Sequence, residues 1–287
     1  AGDDDIVLRT LAPTVAVWDV DLTIDGGTPA ATTGVGQQGD VFELETQGVQ
    51  TVTYSPVEMS IAELSSVIDF SEMEQVVFRG QGDDTLTMNG TERDDYFVIN
   101  PTNGGSGSHR SNLSPTFHFS GAKAITATGG NSGTDRVIVE ATDDNDVVTA
   151  SAATRLVTLK SPSGLTFTPV VLGAGIDIVT IEAKAGDDLI LVSPDPFGGA
   201  PVQFNVNGDL PNASDRLAIE DQGVGNTIQH HQGPDQRSGS IIVGGLPPVS
   251  YEGIEYVDIT PLDTNSSSST FGGTGSDGLG RIVVFHS

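Results

Sequence analysis

A turn followed by a short strand recurs along this chain, and the recurrence limits the possible folds more than any other feature of the sequence. The clearest copy is Gly80–Met88, and related copies stand at Gly2–Leu8, Gly186–Val192 and Gly272–Gly280. Equivalent glycines in these copies lie 80, 104 and 89 residues apart: Gly2, Gly82, Gly186 and Gly275. Internal repeats decide architecture. We therefore predict one elongated repeat domain, 1–287, with repeats at about 2–81, 82–185 and 186–271 and the start of a fourth at 272–287.

Each part of the repeated unit has a physical role. Glycine supplies the positive φ angles of tight turns, and aspartate tolerates those angles while its carboxylate bonds nearby amides. The residues that follow alternate in character, which is typical of a strand with one buried face. We therefore predict that eight side chains point into the core: Leu86, Met88, Val137, Val139, Ile190, Val192, Leu217 and Ile219.

A second landmark, Asp-x-apolar-x-apolar-Glu, recurs at 40–45, 135–140 and 215–220. Short strands at regular spacing, with Gly, Asp and Asn between them, predict an all-β protein. Long repeats of several strands favour a right-handed parallel β-helix, or solenoid, in which one repeat spans several coils. A β-propeller is the alternative, because the turn aspartates recur at roughly the length of a blade.

Three stretches interrupt this strand pattern. Ser60–Glu63 fits a capping box, and apolar residues follow it at helical spacing, so a short helix is predicted there. Asn103–Ser114 is rich in Gly and Ser and is predicted to be a surface loop. Gln229–Ser238 is predicted to be a polar excursion from the third repeat.

The chain is strongly acidic, with 39 Asp and Glu against 12 Lys and Arg and a formal net charge of −27. This charge excludes nucleic acid as a partner, because phosphate binding needs clustered Lys and Arg. Self-repulsion opposes a compact fold unless it is neutralised, and divalent cations prefer carboxylate and carbonyl oxygens. The alternative is a solvated acidic surface that keeps the protein soluble. Cysteine is absent, and no apolar run reaches the length of a membrane span, so we expect no membrane insertion.

At Gly272–Gly280 the sequence resembles the calcium-binding nonapeptide G-G-x-G-x-D-x-U-x of RTX, or haemolysin-type, proteins at every position. Gly80–Leu86 and Gly173–Val179 match its G-x-G-x-D-x-U core. In that family the turn aspartates and main-chain carbonyls hold Ca²⁺ between stacked coils of secreted or surface proteins. The resemblance implies calcium ligands at Asp84, Asp135, Asp177, Asp188 and Asp277, and the equivalent turns add Asp4, Asp83 and Asp187. Family nonapeptides stand in tandem, whereas these lie tens of residues apart, so simple turn capping by aspartate remains the alternative.

His230 and His231, with Asp221 and Asp235 nearby, are a candidate metal or catalytic cluster, because histidine is the commonest transition-metal ligand. The pair falls in the predicted polar excursion, where no strand register would aim the two rings. The sequence therefore favours a polar loop over a site at this position.

Two further patterns resemble catalytic sites. Adjacent carboxylates such as Asp83 and Asp84 do not suit a glycosidase, since neighbours on a strand point to opposite faces. Arg136 and Arg216 could serve a polysaccharide lyase, but both stand four residues before a Glu at one repeat position. That recurrence favours an outward charge ladder, and we predict no catalytic constellation.

Together these features predict a non-enzymatic, extracellular or cell-surface segment with a structural or adhesive role, stabilised by calcium. The competing hypothesis is a carbohydrate-active β-helix, either a polysaccharide lyase or a polysaccharide-binding module. Expected partners are further copies of the chain, other cell-surface components or a polysaccharide. Because the chain begins inside a Gly-Asp-Asp turn, we expect a mature or excised fragment of a longer protein.

Overall fold

The computed structural model describes residues 4–10, 21–27, 39–64, 66–102, 105–111, 115–196, 199–208, 214–221, 227–261, 269–272 and 282–284. This part of the chain is all-β, as predicted, with one three-residue 3-10 helix at Ala62–Leu64. Its contacts divide into two compact units, residues 1–135 with 167–175 and residues 136–166 with 176–287. None of the helical structure described is long and apolar enough to cross a membrane. The alternation of apolar residues in the sequence also predicts a strand at Val15–Val20, which lies outside the described residues.

Strands are numbered along the chain. The first unit contains β1 (Asp5–Arg9), β2 (Leu22–Asp25), β3 (Val41–Glu45), β4 (Thr51–Ser55), β5 (Glu58–Ile61), β6 (Ser66–Ser71), β7 (Gln75–Asn89), β8 (Tyr96–Thr102), β9 (Ser106–Ser111), β10 (Thr116–Thr128) and β14 (Val170–Leu172). The second contains β11 (Asp135–Glu140, apart from its first residue), β12 (Val147–Ser151), β13 (Leu156–Lys160), β15 (Ile176–Glu182), β16 (Leu189–Ser193), β17 (Gln203–Asn207), β18 (Arg216–Asp221), β19 (Ile228–Gln232), β20 (Gly239–Val243), β21 (Val249–Glu252), β22 (Tyr256–Pro261), β23 (Ser269–Gly272) and β24 (Ile282–Val284).

Parallel pairing dominates the first unit. One stack joins β1, β3 and the first halves of β7 and β10, and another joins β4, the second halves of β7 and β10, and β14. Paired residues in these stacks are 34 to 45 positions apart in the chain. The register therefore places like residues on one inward row, such as Val52, Leu86, Ile125 and Val170.

The second unit follows the same rule. A stack joins β12, β16, β18, β22 and β24, and a shorter one joins β15, β17 and β21. Paired residues here are 25 to 45 positions apart. Antiparallel pairs also occur in this unit, as β12 with β13 and as the run from β19 through β20 to β21.

All eight side chains predicted to point into the core are buried, with exposed fractions of 0 to 2%. In the second unit Val148, Ile190, Leu217 and Val257 form one inward row across four paired strands. The inward row exists because side chains alternate along a strand and the parallel register keeps equivalent positions adjacent. The alternation of apolar residues with a period of two therefore predicted these core positions correctly.

Of the helix predicted after Ser60, only the three-residue 3-10 helix Ala62–Leu64 is present, and the rest of the prediction is wrong. Ser60 and Ile61 belong to β5, which pairs antiparallel with both β4 and β6, and Ile68 belongs to β6. Glu63, the acidic residue of the supposed capping box, accepts a hydrogen bond from the Thr51 amide at 2.7 Å instead. The capping-box pattern did not lead to an α-helix because the backbone amides and carbonyls of this segment bond to the neighbouring strands β4 and β6.

The predicted surface loop at Asn103–Ser114 is also wrong for its central residues. Ser106–Ser111 form β9, which pairs antiparallel with β8 and β10. Gly107 allows this strand to pass over an aromatic ring, because a Cβ there would meet the Phe119 side chain. The glycine thus allows the strand to lie close to its neighbours. His109, on the same strand, is buried.

Candidate functional site

The predicted calcium ligands fall into two classes in the structure. Asp84, Asp135 and Asp188 are buried, with exposed fractions of 0, 1 and 2%. Four others are exposed: Asp4, Asp83, Asp177 and Asp187. Asp277 lies outside the described residues. The buried class stands at one defined place, immediately before or at the start of an inward-facing strand segment.

In the second unit the buried carboxylates form a ladder, which we call the aspartate ladder and define as Asp146, Asp188 and Asp215 with Glu255 at its end. The amide of Asp146 donates to Asp188 Oδ1 at 2.6 Å, and the amide of Asp188 donates to Asp215 Oδ1 at 2.9 Å. The amide of Asp215 donates in turn to Glu255 Oε2 at 2.9 Å. The side chains of Asp188, Asp215 and Glu255 therefore each hold the backbone of the acidic residue that precedes them in the ladder.

The same backbone positions are joined a second time through main-chain carbonyls. The amides of Leu189 and Arg216 donate to the carbonyls of Asp146 and Asp188 at 2.9 and 2.8 Å. Parallel strands that start at equivalent positions thus receive two connections at their first residue. Charge-assisted bonds from backbone amides to carboxylates are among the stronger hydrogen bonds in proteins.

The first unit contains shorter versions of this arrangement. Asp4 donates its amide to Asp40 Oδ1 at 2.8 Å, and Asp40 donates to Glu74 Oε2 at 2.7 Å. The amide of Asp95 donates to Asp135 Oδ1 at 3.0 Å. Acidic residues therefore repeat one structural role in both units.

Asp84 uses both carboxylate oxygens in this way. Its Oδ1 accepts the Gln50 amide at 2.7 Å, which joins two paired strands, and its Oδ2 accepts the Gln81 amide at 2.5 Å, which closes its own turn. The two glycines of this turn have separate functions. A Cβ on Gly80 would lie 2.5 Å from Asp84 Oδ2, whereas Gly82 has a φ of +99°. The first glycine thus makes room for the carboxylate, and only the second is needed for positive φ.

Exposed aspartates that directly precede buried ones also bond to backbone. Asp187 Oδ1 accepts the Ser214 amide at 2.9 Å, and Asp94 Oδ1 accepts the Thr134 amide at 2.8 Å. Within the described residues, no group of three or more His, Cys, Asp or Glu side chains is arranged to hold a metal ion. In the structure these carboxylates accept hydrogen bonds from backbone amides, and calcium binding by them stays a prediction.

Asp188 has an unusual electrostatic environment. Its Oδ2 is buried without a hydrogen-bond partner. The pKa of this carboxyl is raised to about 7, mainly by burial and also by the charges of Asp215, Asp146 and Asp187, against the lowering effect of the Asp146 amide. A negative charge on Asp188 is therefore unfavourable in the folded protein.

The histidine pair lies on a strand, which corrects the prediction of a polar loop. His230 and His231 belong to β19, paired antiparallel with β20. His230 Nε2 lies 2.6 Å from the Tyr251 hydroxyl, and the two rings stack with centroids 6.0 Å apart. Burial lowers the pKa of His230 and raises that of Tyr251 to about 12, so both groups are neutral at pH 7.

A groove of about 350 Å³ lies beside this pair, lined by His231, Asp235, Ser238, Tyr251 and Glu252 among others. The described residues that line it include two carboxylates and neither Arg nor Lys. Tyr251 is only 6% exposed, so its ring offers little surface on which a sugar could stack. An acidic lining would repel a polyuronate, and this argues against the lyase hypothesis at this groove.

Asp221, the fourth residue of the predicted cluster, ends β18.

The recurring arginines point outward. Arg136 and Arg216 are both exposed, and Arg216 forms an ion pair with Asp258 on the neighbouring strand β22. The ion pair runs between strands, not along the strand to Glu220. Arg79 and Glu43 make a similar pair at 2.7 Å between β7 and β3 in the first unit.

No protein-family model, no curated protein and no solved structure matches this chain. Sequence reasoning missed two members of the aspartate ladder, Asp146 and Glu255, and two equivalent residues of the first unit, Glu74 and Asp95. A signal for them existed, because each stands two residues before the first inward apolar side chain: Val76, Phe97, Val148 and Val257.

Proposed function

We propose that this chain is a non-enzymatic structural or adhesive β-repeat segment of a larger extracellular or cell-surface protein, built from parallel solenoid coils. The observation that carries the proposal is the recurrence of one acidic residue per coil whose carboxylate holds the backbone of the coil paired with it. An active site is a unique constellation, whereas this arrangement repeats in both units. A structural scaffold needs the same stabilising contact in every repeat, and the carboxylate–amide hydrogen bond is such a contact.

Pairing distances support a solenoid over a propeller. Residues paired in parallel are 25 to 46 positions apart, a length suited to one coil of two or three short strands. Propeller blades belong to the antiparallel architectures, and parallel pairs predominate in each unit. A coil of this length is shorter than the repeats of 80 to 104 residues seen in the sequence, so each sequence repeat corresponds to several coils.

Mechanical unfolding tests the solenoid directly. Because each coil contacts mainly its neighbours, a solenoid unravels in steps. Pulling the full chain from its two ends should give length increments of roughly 90–170 Å, the extended length of one coil at about 3.6 Å per residue. A single cooperative step for each unit would contradict the proposal.

Calcium stabilisation is the second part of the proposed function. It rests on the net charge of −27 and on exposed aspartates beside the buried ones. An ion that binds only the folded state raises stability by mass action. Millimolar Ca²⁺ should therefore raise the unfolding temperature above that in sodium chloride of equal ionic strength.

Asp83→Asn and Asp187→Asn should reduce this calcium-specific rise, because both exposed residues are predicted ligands. Asp143→Asn serves as the matched control, since Asp143 is an exposed turn aspartate outside the predicted set. Equal rises in calcium and sodium would mean that the aspartates act only on their own backbone. Equal responses of all three variants would mean diffuse screening of charge.

A further inference from the structure

Strand β9 packs on the core of the first unit through one side chain. Of its six residues only His109 is buried, with an exposed fraction of 1%. The strand otherwise consists of Ser, Gly and Arg, which add little apolar contact with the core. It lies between β8 and β10 and pairs antiparallel with both. The packing of this middle strand on the core therefore depends on the His109 ring.

The His109 ring lies in an aromatic compartment. It stacks on Phe97 with ring centroids 5.6 Å apart, and Tyr54 lies edge-on to it at 6.3 Å. Phe117, the residue paired with His109 on β10, lies 4.4 Å from the Tyr54 ring. The Nδ1 atom of His109 is buried and has no hydrogen-bond partner. A protonated imidazole carries a donor on both nitrogens, so protonation here would leave a charged N–H group buried without an acceptor.

The strands around His109 offer no carboxylate to pair with a positive ring. Strands β4, β8, β9 and β10 contain neither Asp nor Glu. Asp95, the buried carboxylate just before β8, already accepts the Thr91 amide at 2.5 Å and the Thr91 hydroxyl at 3.0 Å. Burial lowers the pKa of His109 to about 4, against a hydrogen bond with the Val98 backbone that raises it. Apart from Tyr54, the other titratable side chains of these strands are exposed or half-buried: Tyr96, Arg110, His118 and Lys123.

We propose that His109 is an acid-sensitive latch, whose neutral ring holds β9 on the core and whose protonation releases β9 from β8 and β10. The proton binds Nδ1, which has no acceptor while the strand is closed and meets water once the strand opens. Mild acid thereby exposes the Phe97 and Tyr54 rings and loosens the first unit. The latch acts independently of calcium at the exposed turns and of any scaffold role.

The sign of the pH dependence follows from linkage. The folded-state pKa of about 4 lies below the ordinary value of 6.5, so the open strand binds more protons than the closed strand between these values. The stability that neutral His109 contributes is therefore full above about pH 6.5 and is lost as the pH falls towards 4. A histidine paired with a carboxylate would have a raised pKa and the opposite slope.

The test is hydrogen exchange of the β9 amides in the full chain between about pH 5 and about pH 7.5, at constant ionic strength and without divalent ions. After correction for intrinsic exchange, the opening constant of β9 should rise roughly thirtyfold from the higher pH to the lower. His109→Phe, which keeps a ring that cannot be protonated, should abolish this rise. His118→Phe, the same change at the half-buried histidine of β10, should keep it.

A direct measurement on the wild-type protein decides the matter if His109→Phe does not fold. The imidazole signals of His109, followed by NMR in the folded state, should still report a neutral ring at about pH 5.5, because its pKa is about 4. A ring more than half protonated at that pH, or an unchanged rise in folded His109→Phe, would overturn the proposal.

Discussion

Replacing Leu86 or Ile190 by alanine is expected to lower the free energy of unfolding by about 2–5 kcal/mol. Both side chains are fully buried in the central rows of their units, Leu86 beside Val52 and Ile125, and Ile190 beside Val148 and Leu217. Each substitution removes apolar contact and leaves a cavity that a sheet paired on both sides cannot close. Chemical denaturation monitored by circular dichroism measures the loss.

Leu165→Ala is the matched control, because Leu165 is 43% exposed. We expect that substitution to change the free energy of unfolding by less than about 0.5 kcal/mol. A loss at Leu86 no larger than that at Leu165 would contradict the inward row and the register on which it depends.

Replacing Asp84 by asparagine is expected to cost about 2–3 kcal/mol. Both oxygens of Asp84 face backbone donors, from Gln50 and from Gln81, and Oδ2 also lies 3.4 Å from the Thr46 hydroxyl. The amide group of asparagine would turn one acceptor into a donor that faces another donor. The strand junction would then lose one charge-assisted bond and keep an unsatisfied buried group.

Asp83→Asn removes the same charge from the preceding, exposed residue and should leave stability within about 0.5 kcal/mol of the wild type in the absence of calcium. Losses of equal size at residues 83 and 84 would show that charge, not hydrogen bonding, determines the effect.

Four buried turn aspartates share one structural role, and this role connects the two landmarks of the sequence. Asp84 and Asp188 come from the Gly-Asp turn, whereas Asp135 and Asp215 come from the Asp-x-apolar-x-apolar-Glu landmark. In the structure each stands two residues before a buried apolar side chain and binds a neighbouring amide. Part of the acidic composition therefore consists of carboxylates that join neighbouring strands by accepting hydrogen bonds from backbone amides.

The sequence by itself determined the all-β class and the inward faces of the strands. Alternation is a local property, since adjacent side chains on a strand point to opposite faces, and Leu86, Val137, Ile190 and Leu217 were predicted from it correctly. Composition likewise excluded a disulfide framework, because the chain has no cysteine.

Only the tertiary structure decided which segments meet. The helix predicted after Ser60 and the loops predicted around His109 and His230 became strands, because neighbouring strands supplied their backbone partners. The burial of Asp188 and its shared amide bonds also depend on residues 27 and 42 positions away. A local pattern can place an aspartate in a turn, but its hydrogen-bond partners are set by the paired strands on either side, which contact it only after the chain has folded.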